Sequence, residues 1–250
     1  MPILSYVIVA VAAYLLGSIP TGFLVARAKG VDIRTVGSGN IGATNAMRAL
    51  GKPAGIFVLL MDALKGYVAC AVLCPVIFNF FAPHLSGMIV YFQEEPAVIR
   101  MRFYVVAGIF AVLGHNYTCW LRFKGGKGIA TSAGVYLALA PWAVLIAVVV
   151  FILVLLVTRY ASVGSISAAI ALPAAVWILP PHNLLLGIVT TALGVLAIYK
   201  HRANIQRLIA GTENRLGAKS VGQASSLSQI EKEKNGDRQA ARPTGSEGLK

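Results

Sequence analysis

Residues 114–131 read GHNYTCWLRFKGGKGIAT and lie between two strongly apolar stretches, with a histidine, an arginine and two lysines around a run of glycines. Glycine has no side chain, so backbone N–H groups in such a run approach an anion closely while the neighbouring lysines supply positive charge. The pattern predicts a phosphate-binding loop at the edge of a membrane. Residues 31–52 and 200–217 are polar stretches of the same character. We expect the three stretches to converge on one site.

The composition is far too apolar for an ordinary soluble domain. Of 250 residues, 57% are hydrophobic and 12% are charged, whereas about a quarter of residues are charged in soluble domains. The sequence therefore predicts an all-α integral membrane protein in contact with membrane lipid. The formal net charge of +13 would suggest nucleic acid in a soluble protein. Here the basic residues lie between apolar spans, so we expect no nucleic-acid partner.

About seven transmembrane helices are expected, since an apolar helix needs about 20 residues to cross the hydrocarbon core. The GSIP segment at residues 17–20 interrupts the first span and predicts a kink there. The fourth span is short and crosses only with help from its neighbours. A variable loop is expected through Pro83, Glu94 and Pro96. The predicted spans cover residues 3–26, 53–81, 98–120, 129–140, 142–158, 162–179 and 184–199.

The orientation follows from the basic residues of the short loops. Almost all of them fall on one side of the predicted spans, and only Arg100 and Arg102 fall on the other. The positive-inside rule then places the N-terminus outside and the C-terminus in the cytoplasm, with all three polar stretches on the cytoplasmic face. Residues 1–217 form the predicted membrane-embedded domain. Residues 218–250 carry almost no large apolar side chains and are predicted to be a disordered cytoplasmic tail.

The cysteines indicate neither a disulfide framework nor a zinc site. Cys70, Cys74 and Cys119 lie in or beside apolar spans, without a CxxC pair or a His/Cys ligand spacing. We interpret them as small packing residues. No metal and no other cofactor is expected.

The segment GSGNIG at residues 37–42 matches the dinucleotide pattern GxGxxG, with Asp62 about 20 residues further on. We reject a dinucleotide site because Asp62 lies in an apolar span and no strand precedes the glycines. The glycines lead into a short predicted helix at residues 43–50, whose N–H groups would attract an anion, and Arg48 would strengthen the attraction. The alternative is a tight turn whose polar side chains, including Asn45, are solvated.

The segment GGKG at residues 125–128 is not a nucleotide-binding Walker A loop. Lys127 is followed by glycine, and Leu121 occupies the position of the first Walker glycine. A cluster of Arg122, Lys124 and Lys127 could simply contact lipid headgroups. The clustered glycines favour phosphate binding instead.

Five polar positions near membrane boundaries or inside spans need separate interpretation. His201 and Asn204 are spaced i, i+3 and share a helical face, so Asn204 can join His201 in binding substrate. Glu213 is either a general base or a structural partner for nearby arginines, and we favour the structural role. Asp62 and Lys65 are also spaced i, i+3 within an apolar span, where charges usually pair inside a bundle. We interpret that pair as structural.

Three long motifs now suggest a family. GSGNIGATNAMRALGK, GHNYTCWLRFKGGKGIAT and HRANIQRL followed by GTE resemble the motifs of the bacterial acyl-phosphate-dependent glycerol-3-phosphate acyltransferases, the PlsY family. The resemblance covers most of residues 3–217. It implies a multi-pass enzyme of the bacterial inner membrane, with its site facing the cytoplasm, that transfers a fatty acyl group from acyl phosphate to the 1-hydroxyl of glycerol 3-phosphate. The products would be lysophosphatidic acid and phosphate. A peripheral enzyme that forms acyl phosphate is the implied partner.

The resemblance also assigns roles to positions that match the family motifs. The implied catalytic residues are Ser38, Arg48, His201 and Asn204. The implied substrate-binding residues are Asn40, Thr44, His115, Lys124, Gly125, Gly126, Lys127 and Ser162. The implied role of Glu213 is mainly structural. Asp62 and Lys65 are interpreted above as a structural pair.

Two absences agree with an acyl-phosphate donor. The sequence contains neither the HxxxxD dyad of acyltransferases that use acyl-CoA or acyl carrier protein, nor a GxSxG nucleophile elbow. Acyl phosphate is already an activated mixed anhydride, so positioning and electrostatics can suffice. A transporter of a phosphorylated solute is the main alternative, but transporters place their site near the midplane between repeats. A lipid-binding scaffold would not explain GSGN and HRAN.

Overall fold

A computed structural model describes residues 2–92 and 95–216 of the chain. The predicted tail at residues 218–250 and the loop residue Glu94 lie outside the described residues. The described ranges contain helices and no strand. In chain order the helices are α1 Pro2–Ser18, α2 Thr21–Ala28, α3 Ala43–Leu50, α4 Lys52–Val68, α5 Cys74–Phe92, α6 Pro96–Asn116, α7 Ile129–Leu139, α8 Pro141–Thr158, α9 Ala161–Ile178, α10 Leu184–Lys200 and α11 Arg202–Ile209. A π turn at Ala69–Leu73 joins α4 to α5, and a 3₁₀ turn at Cys119–Leu121 follows α6.

Five helical stretches of the described chain are long and apolar enough to cross a membrane. They are Ile3–Ala28, Lys52–Pro83, Pro96–Leu121, Pro141–Thr158 and Ala161–Ile178. The pair α10 and α11, bent by 51°, makes a sixth if it is one span. Helix α7 has 11 residues, which is short of the roughly 20 that a crossing needs. The all-α membrane architecture is confirmed, and seven crossings result only if α7 is counted.

The sequence predicted two breaks in the apolar spans, at residues 17–20 and at Pro83, and the structure contains only the first of them. The predicted kink at residues 17–20 is confirmed, because α1 ends at Ser18 and α2 begins at Thr21 after Pro20. The loop predicted to begin at Pro83 is wrong, because α5 continues through Pro83 to Phe92. Proline removes one intrahelical hydrogen bond, yet in an apolar environment the remaining backbone groups are best satisfied by staying helical.

Small residues bring the helices into close contact. Gly17 of α1 lies on the backbone of Ala111 in α6, and Gly114 of α6 lies on the carbonyl of Tyr14 in α1. Gly66 and Gly134 make the same kind of contact between α4 and α7. A Cβ atom at any of these glycines would overlap a neighbouring backbone. Backbone contact of this kind is typical of membrane bundles, where close packing rather than hydrophobic burial draws helices together.

The polar segments gather at one end of this bundle. Helix α3 packs on α4, and residues of α3 and of the loop between α6 and α7 line the same cavity. The chain after α11 folds back over the turn between α8 and α9, where the Leu216 N–H donates to the Arg159 carbonyl at 2.7 Å. Elsewhere the helices expose apolar side chains, such as Val157 at 85% exposure, as a lipid-facing surface requires.

Candidate active site

The three polar stretches meet around a central cavity of about 130 Å³. The predicted convergence is therefore found in the structure. Other lining residues come from α4, α7, α8 and α9. The polar side chains that line the central cavity are Ser38, Asn40, Thr44, Asn45, Arg48, Asp62, His115, Lys127, Ser162, Ser165, His201, Asn204 and Glu213.

Asn45 organises the first polar stretch. Its side chain is 1% exposed, and its Oδ1 accepts a hydrogen bond from the Ser38 N–H at 2.9 Å. Its Nδ2 donates to the carbonyl oxygens of Ile33, Val36 and Asn40 at 3.1, 3.0 and 2.9 Å. The solvated turn considered as an alternative is wrong for Asn45, because the loop folds over this one amide. The loop thereby holds Ser38 at the cavity.

Helix α3 presents its N-terminal end and a guanidinium to the same cavity. No side chain caps this helix at Gly42, so its first N–H groups have no side-chain acceptor and carry the positive end of the helix dipole. The Arg48 side chain lines the cavity and donates to the Asn214 carbonyl at 3.2 Å. Burial lowers the pKa of Arg48 from its ordinary value, and Glu213 opposes that shift. An arginine stays protonated under such a shift.

Lys127 lies where the second and third stretches touch. Its Nζ donates to Asn204 Oδ1, and Asn204 Nδ2 donates to Glu213 Oε1 at 2.7 Å. Burial lowers the pKa of Lys127 to about 8. Lys127 is therefore a cation that loses its charge easily unless an anion approaches.

Lys124 and Gly125 do not line the central cavity, whereas Lys127 does. They line an outer basic cavity of about 490 Å³ that shares Ser38, Asn40, Lys127 and Asn204 with the central cavity. Lys124 is exposed. Further cations on this outer cavity are Arg34, Lys200, Arg202 and Arg207. An anion arriving from water would meet the outer basic cavity before the central one.

Glu213 is fully engaged by neighbouring donors. Its Oε1 accepts from Ser162 Oγ at 2.9 Å and from Asn204, and its Oε2 accepts from Arg207 Nε at 2.7 Å. Burial by itself would raise the pKa of Glu213, but these hydrogen bonds outweigh it and the net pKa is lowered. An ionised carboxylate with both oxygens occupied is a poor proton acceptor. The geometry supports the structural role.

His201 sits at the bend between α10 and α11. Its ring is 3% exposed and lines the central cavity beside Asn204. Its Nδ1 lies 2.8 Å from the Ala197 carbonyl, so we assign the proton to Nδ1 and the lone pair to Nε2. The Asn204 N–H donates to the His201 carbonyl at 2.8 Å, and both residues line the central cavity. Their joint binding of substrate stays a prediction.

The predicted pair in α4 is an ion pair with an additional neighbour. Lys65 Nζ lies 2.9 Å from Asp62 Oδ1, and it also donates to the Ile19 carbonyl at 3.0 Å. His115 Nδ1 lies 3.6 Å from the same Asp62 oxygen. The contact with His115 was not predicted from the sequence, because it joins residues 53 positions apart and depends on how α4 packs against α6.

An apolar cavity of about 320 Å³ adjoins the central one. The two share Leu59, Ile129, Ala130 and Phe151. The sequence analysis missed this cavity because its wall is assembled from single residues of several helices. Its deeper lining residues include Ala133, Tyr136, Val144, Ala147, Leu172, Thr190 and Leu193.

The chain is similar to known proteins over most of its length. Residues 7–211 match the family model for glycerol-3-phosphate acyltransferase. A glycerol-3-phosphate acyltransferase of Geotalea daltonii is 45% identical over 210 residues, which cover 84% of this chain and 97% of the relative. One of Geobacter metallireducens is 50% identical over 206 residues, covering 82% of this chain and 95% of the relative.

Two crystal structures of PlsY (YgiH), an integral membrane glycerol 3-phosphate acyltransferase, have the same fold. The glycerol 3-phosphate form has a TM-score of 0.70 at 38% identity, and the lysophosphatidic acid form has 0.68 at 37%. Each comparison covers 85% of this chain and 96% of the other. The matches span nearly the whole of the relatives, and the chain belongs to the glycerol-3-phosphate acyltransferase family.

Proposed function

We propose that the protein transfers a fatty acyl group from acyl phosphate to the 1-hydroxyl of glycerol 3-phosphate, giving lysophosphatidic acid and inorganic phosphate. The observation that carries the proposal is the junction of three cavities. The central cavity shares lining residues with the basic cavity around Lys124 and with the apolar cavity at Phe151. Two small anions and one hydrocarbon chain are the guests that this combination fits.

The acceptor and the product are supported by the solved relatives, which hold glycerol 3-phosphate in one form and lysophosphatidic acid in the other. In this chain the acceptor phosphate would lie against Lys127 and its glycine loop. Lys127 lines both the central and the outer basic cavity. A charge-assisted contact from its ammonium group holds a phosphate more strongly than a neutral donor would. Lys124 and Arg207 would draw the anion in from the water.

The donor would place its phosphate near Ser38, Arg48 and the start of α3, with Asn40 and Thr44 as further polar contacts. All four side chains line the central cavity. Its acyl chain would enter the apolar cavity, whose shared wall includes Ala130 and Phe151. The carbonyl carbon of the mixed anhydride would then lie between the two proposed anion sites.

The reaction then needs alignment more than a protein nucleophile. The 1-hydroxyl oxygen attacks the carbonyl carbon, the bond between that carbon and the phosphate oxygen breaks, and the phosphate leaves with the electron pair. Arg48 and the α3 N–H groups would stabilise the charge that develops on the leaving phosphate. Ser38 would donate to the developing oxyanion. Holding two reactants in contact is itself worth several orders of magnitude in rate.

We further propose that a substrate phosphate oxygen accepts the hydroxyl proton. Glu213 is occupied by three donors, which leaves it unsuited to the task. His201 Nε2 carries a lone pair at the cavity and is the alternative acceptor that His201→Ala tests. His201, Asn204 and Ser162 would instead orient the substrates, with Glu213 holding Asn204 and Ser162 in place.

The protein would function in the bacterial inner membrane, with its N-terminus outside, its site facing the cytoplasm and residues 218–250 as a cytoplasmic tail. A peripheral enzyme that forms acyl phosphate would deliver the donor, because a reactive amphiphile is best passed on at the membrane surface. Cysteine labelling tests the orientation. Positions near Arg34, Lys124 and Arg207 should react only from the cytoplasm, and a position near Glu94 only from outside.

Purified protein provides the direct test of the function. With acyl phosphate and radiolabelled glycerol 3-phosphate, and without added metal, nucleotide or coenzyme, lysophosphatidic acid should accumulate. Acyl-CoA should not replace the donor. Robust use of acyl-CoA with no use of acyl phosphate would overturn the proposed donor. Uptake of glycerol 3-phosphate into proteoliposomes without acylation would favour the transporter alternative.

A further inference from the structure

Three polar groups form a buried row beneath the glycine loop. Lys65 and Asp62 of α4 are in contact at 2.9 Å with side-chain exposures of 6% and 3%, and His115 of α6 follows at 3.6 Å from Asp62 with an exposure of 5%. Ionisable groups inside an apolar bundle are costly, and they pair with one another or serve a site. The row begins at the Ile19 carbonyl, to which Lys65 Nζ donates, and it ends at the central cavity, which Asp62 and His115 both line.

Both the backbone and the imidazole of His115 contact the glycine loop. The Gly126 N–H donates to the His115 carbonyl at 2.9 Å, and the Gly125 N–H donates to the Asn116 carbonyl at 3.2 Å. The Nε2 edge of the His115 ring lies against Gly126 so closely that an added Cβ atom would overlap it. Gly126 immediately precedes Lys127. The imidazole therefore packs against the backbone immediately before Lys127.

We propose that Asp62 is a positioning residue for glycerol 3-phosphate binding, because it orients the His115 ring on which the glycine loop rests. The carboxylate faces His115 Nδ1, so the proton belongs on that nitrogen and the ring is held by attraction between the N–H and the carboxylate. The 3.6 Å separation is an ion contact rather than a formed hydrogen bond. Lys65 Nζ contacts the same carboxylate oxygen at 2.9 Å.

The inference rests on the proposed glycerol 3-phosphate site at Lys127, and it differs from a purely structural role for the ion pair. A purely structural pair would join α4 to the break after α1 through the contact of Lys65 with the Ile19 carbonyl. In that role Asp62 would need no contact other than the one with Lys65. Instead Asp62 also faces His115 and the cavity. Removing a structural pair would lower stability without changing the KM for one substrate.

The test compares Asp62→Asn, His115→Gln and their combination in the purified full-length protein. Each single variant should raise the KM for glycerol 3-phosphate by roughly 2- to 12-fold, the range for losing one ordinary hydrogen-bond-sized interaction. The KM for acyl phosphate should stay the same. If Asp62 acts through His115, the combined variant should be no worse than His115→Gln alone. Asp32→Asn is the matched control, since Asp32 is an exposed carboxylate paired with Arg34 at 2.7 Å, and it should leave both KM values unchanged.

Asp62→Asn leaves Lys65 buried beside a neutral partner, which can unfold a protein. The variant that combines Asp62→Asn with Lys65→Met removes both charges and should show the same rise in the glycerol 3-phosphate KM. Additive effects of Asp62→Asn and His115→Gln, an unchanged KM, or the absence of folded protein in both Asp62 variants would each overturn the inference. Lys127→Ala separates the two proposals. If it leaves this KM unchanged, the proposed phosphate site is wrong, and if it raises the KM while Asp62→Asn does not, only the positioning role is wrong.

Discussion

Replacing Lys127 with alanine should raise the KM for glycerol 3-phosphate by roughly 10- to 150-fold. The side chain is mostly buried and lies between the central and the outer basic cavity. Its ammonium group has one protein acceptor, Asn204 Oδ1, and its remaining donors are available to a phosphate. A hydrogen bond to a charged group contributes about 1.5 to 3 kcal/mol, which corresponds to the stated range at 25 °C. The KM for acyl phosphate should change much less.

The assay is steady-state production of lysophosphatidic acid in detergent or nanodiscs, with each substrate varied in turn at saturating concentrations of the other. Lys124→Ala is the matched control, because Lys124 is exposed on the same loop three residues earlier. An exposed charge contributes about 0 to 1 kcal/mol, so the control should raise the KM by roughly fivefold at most. An unchanged KM in Lys127→Ala, or equal effects of the two substitutions, would refute the assignment of the phosphate site to Lys127.

Four further outcomes follow from the same geometry. Because burial lowers the pKa of Lys127 to about 8, the KM for glycerol 3-phosphate should rise as the pH increases through that value, and a profile that is flat from pH 7 to 9.5 would contradict this. Ser38→Ala and Arg48→Ala should depress turnover more than either KM, as measured at saturating substrates, because both face the transferring acyl phosphate. His201→Ala should cost less than the roughly 10² to 10⁴ in rate that removal of a general base costs, and its pH profile should match that of the unmodified enzyme. Glu213→Gln should lower the Tm by roughly 3 °C or more, since it weakens charge-assisted hydrogen bonds. The pKa of Glu213 is lowered in the folded protein, so its contribution is present at neutral pH and is lost as the pH falls through that lowered value. A Tm difference that does not decrease on acidification would contradict this.

Long apolar runs and helix-breaking proline and glycine residues predicted most of the fold. The break at Pro20 was predictable because proline lacks the N–H that a continuing helix needs. Helix α3 was predictable from the glycines that precede residue 43. The π turn at Ala69–Leu73 and the helical path through Pro83 were not predictable, because neighbouring helices and lipid decide them rather than local propensity.

The site was predictable where its chemistry is contiguous in the sequence. Lys127 and its glycines form one recognisable segment, and Ser38 and Arg48 belong to another. The sequence did not indicate the structural role of Asn45, because its four hydrogen bonds are formed only after the loop has folded around it. The contact between Asp62 and His115 depends on the packing of α4 against α6. No pattern in either helix alone indicates it.

The apolar cavity ends where the polar one begins, at Ile129, Ala130 and Phe151. With the membrane orientation that we propose, a molecule that occupies both would have its phosphate at the level of the headgroups and its chain at the level of the hydrocarbon. In the proposed reaction the product is formed already aligned with the leaflet that receives it. Release would then be sideways diffusion into the bilayer rather than transfer through water, and no soluble carrier would be needed to deliver it.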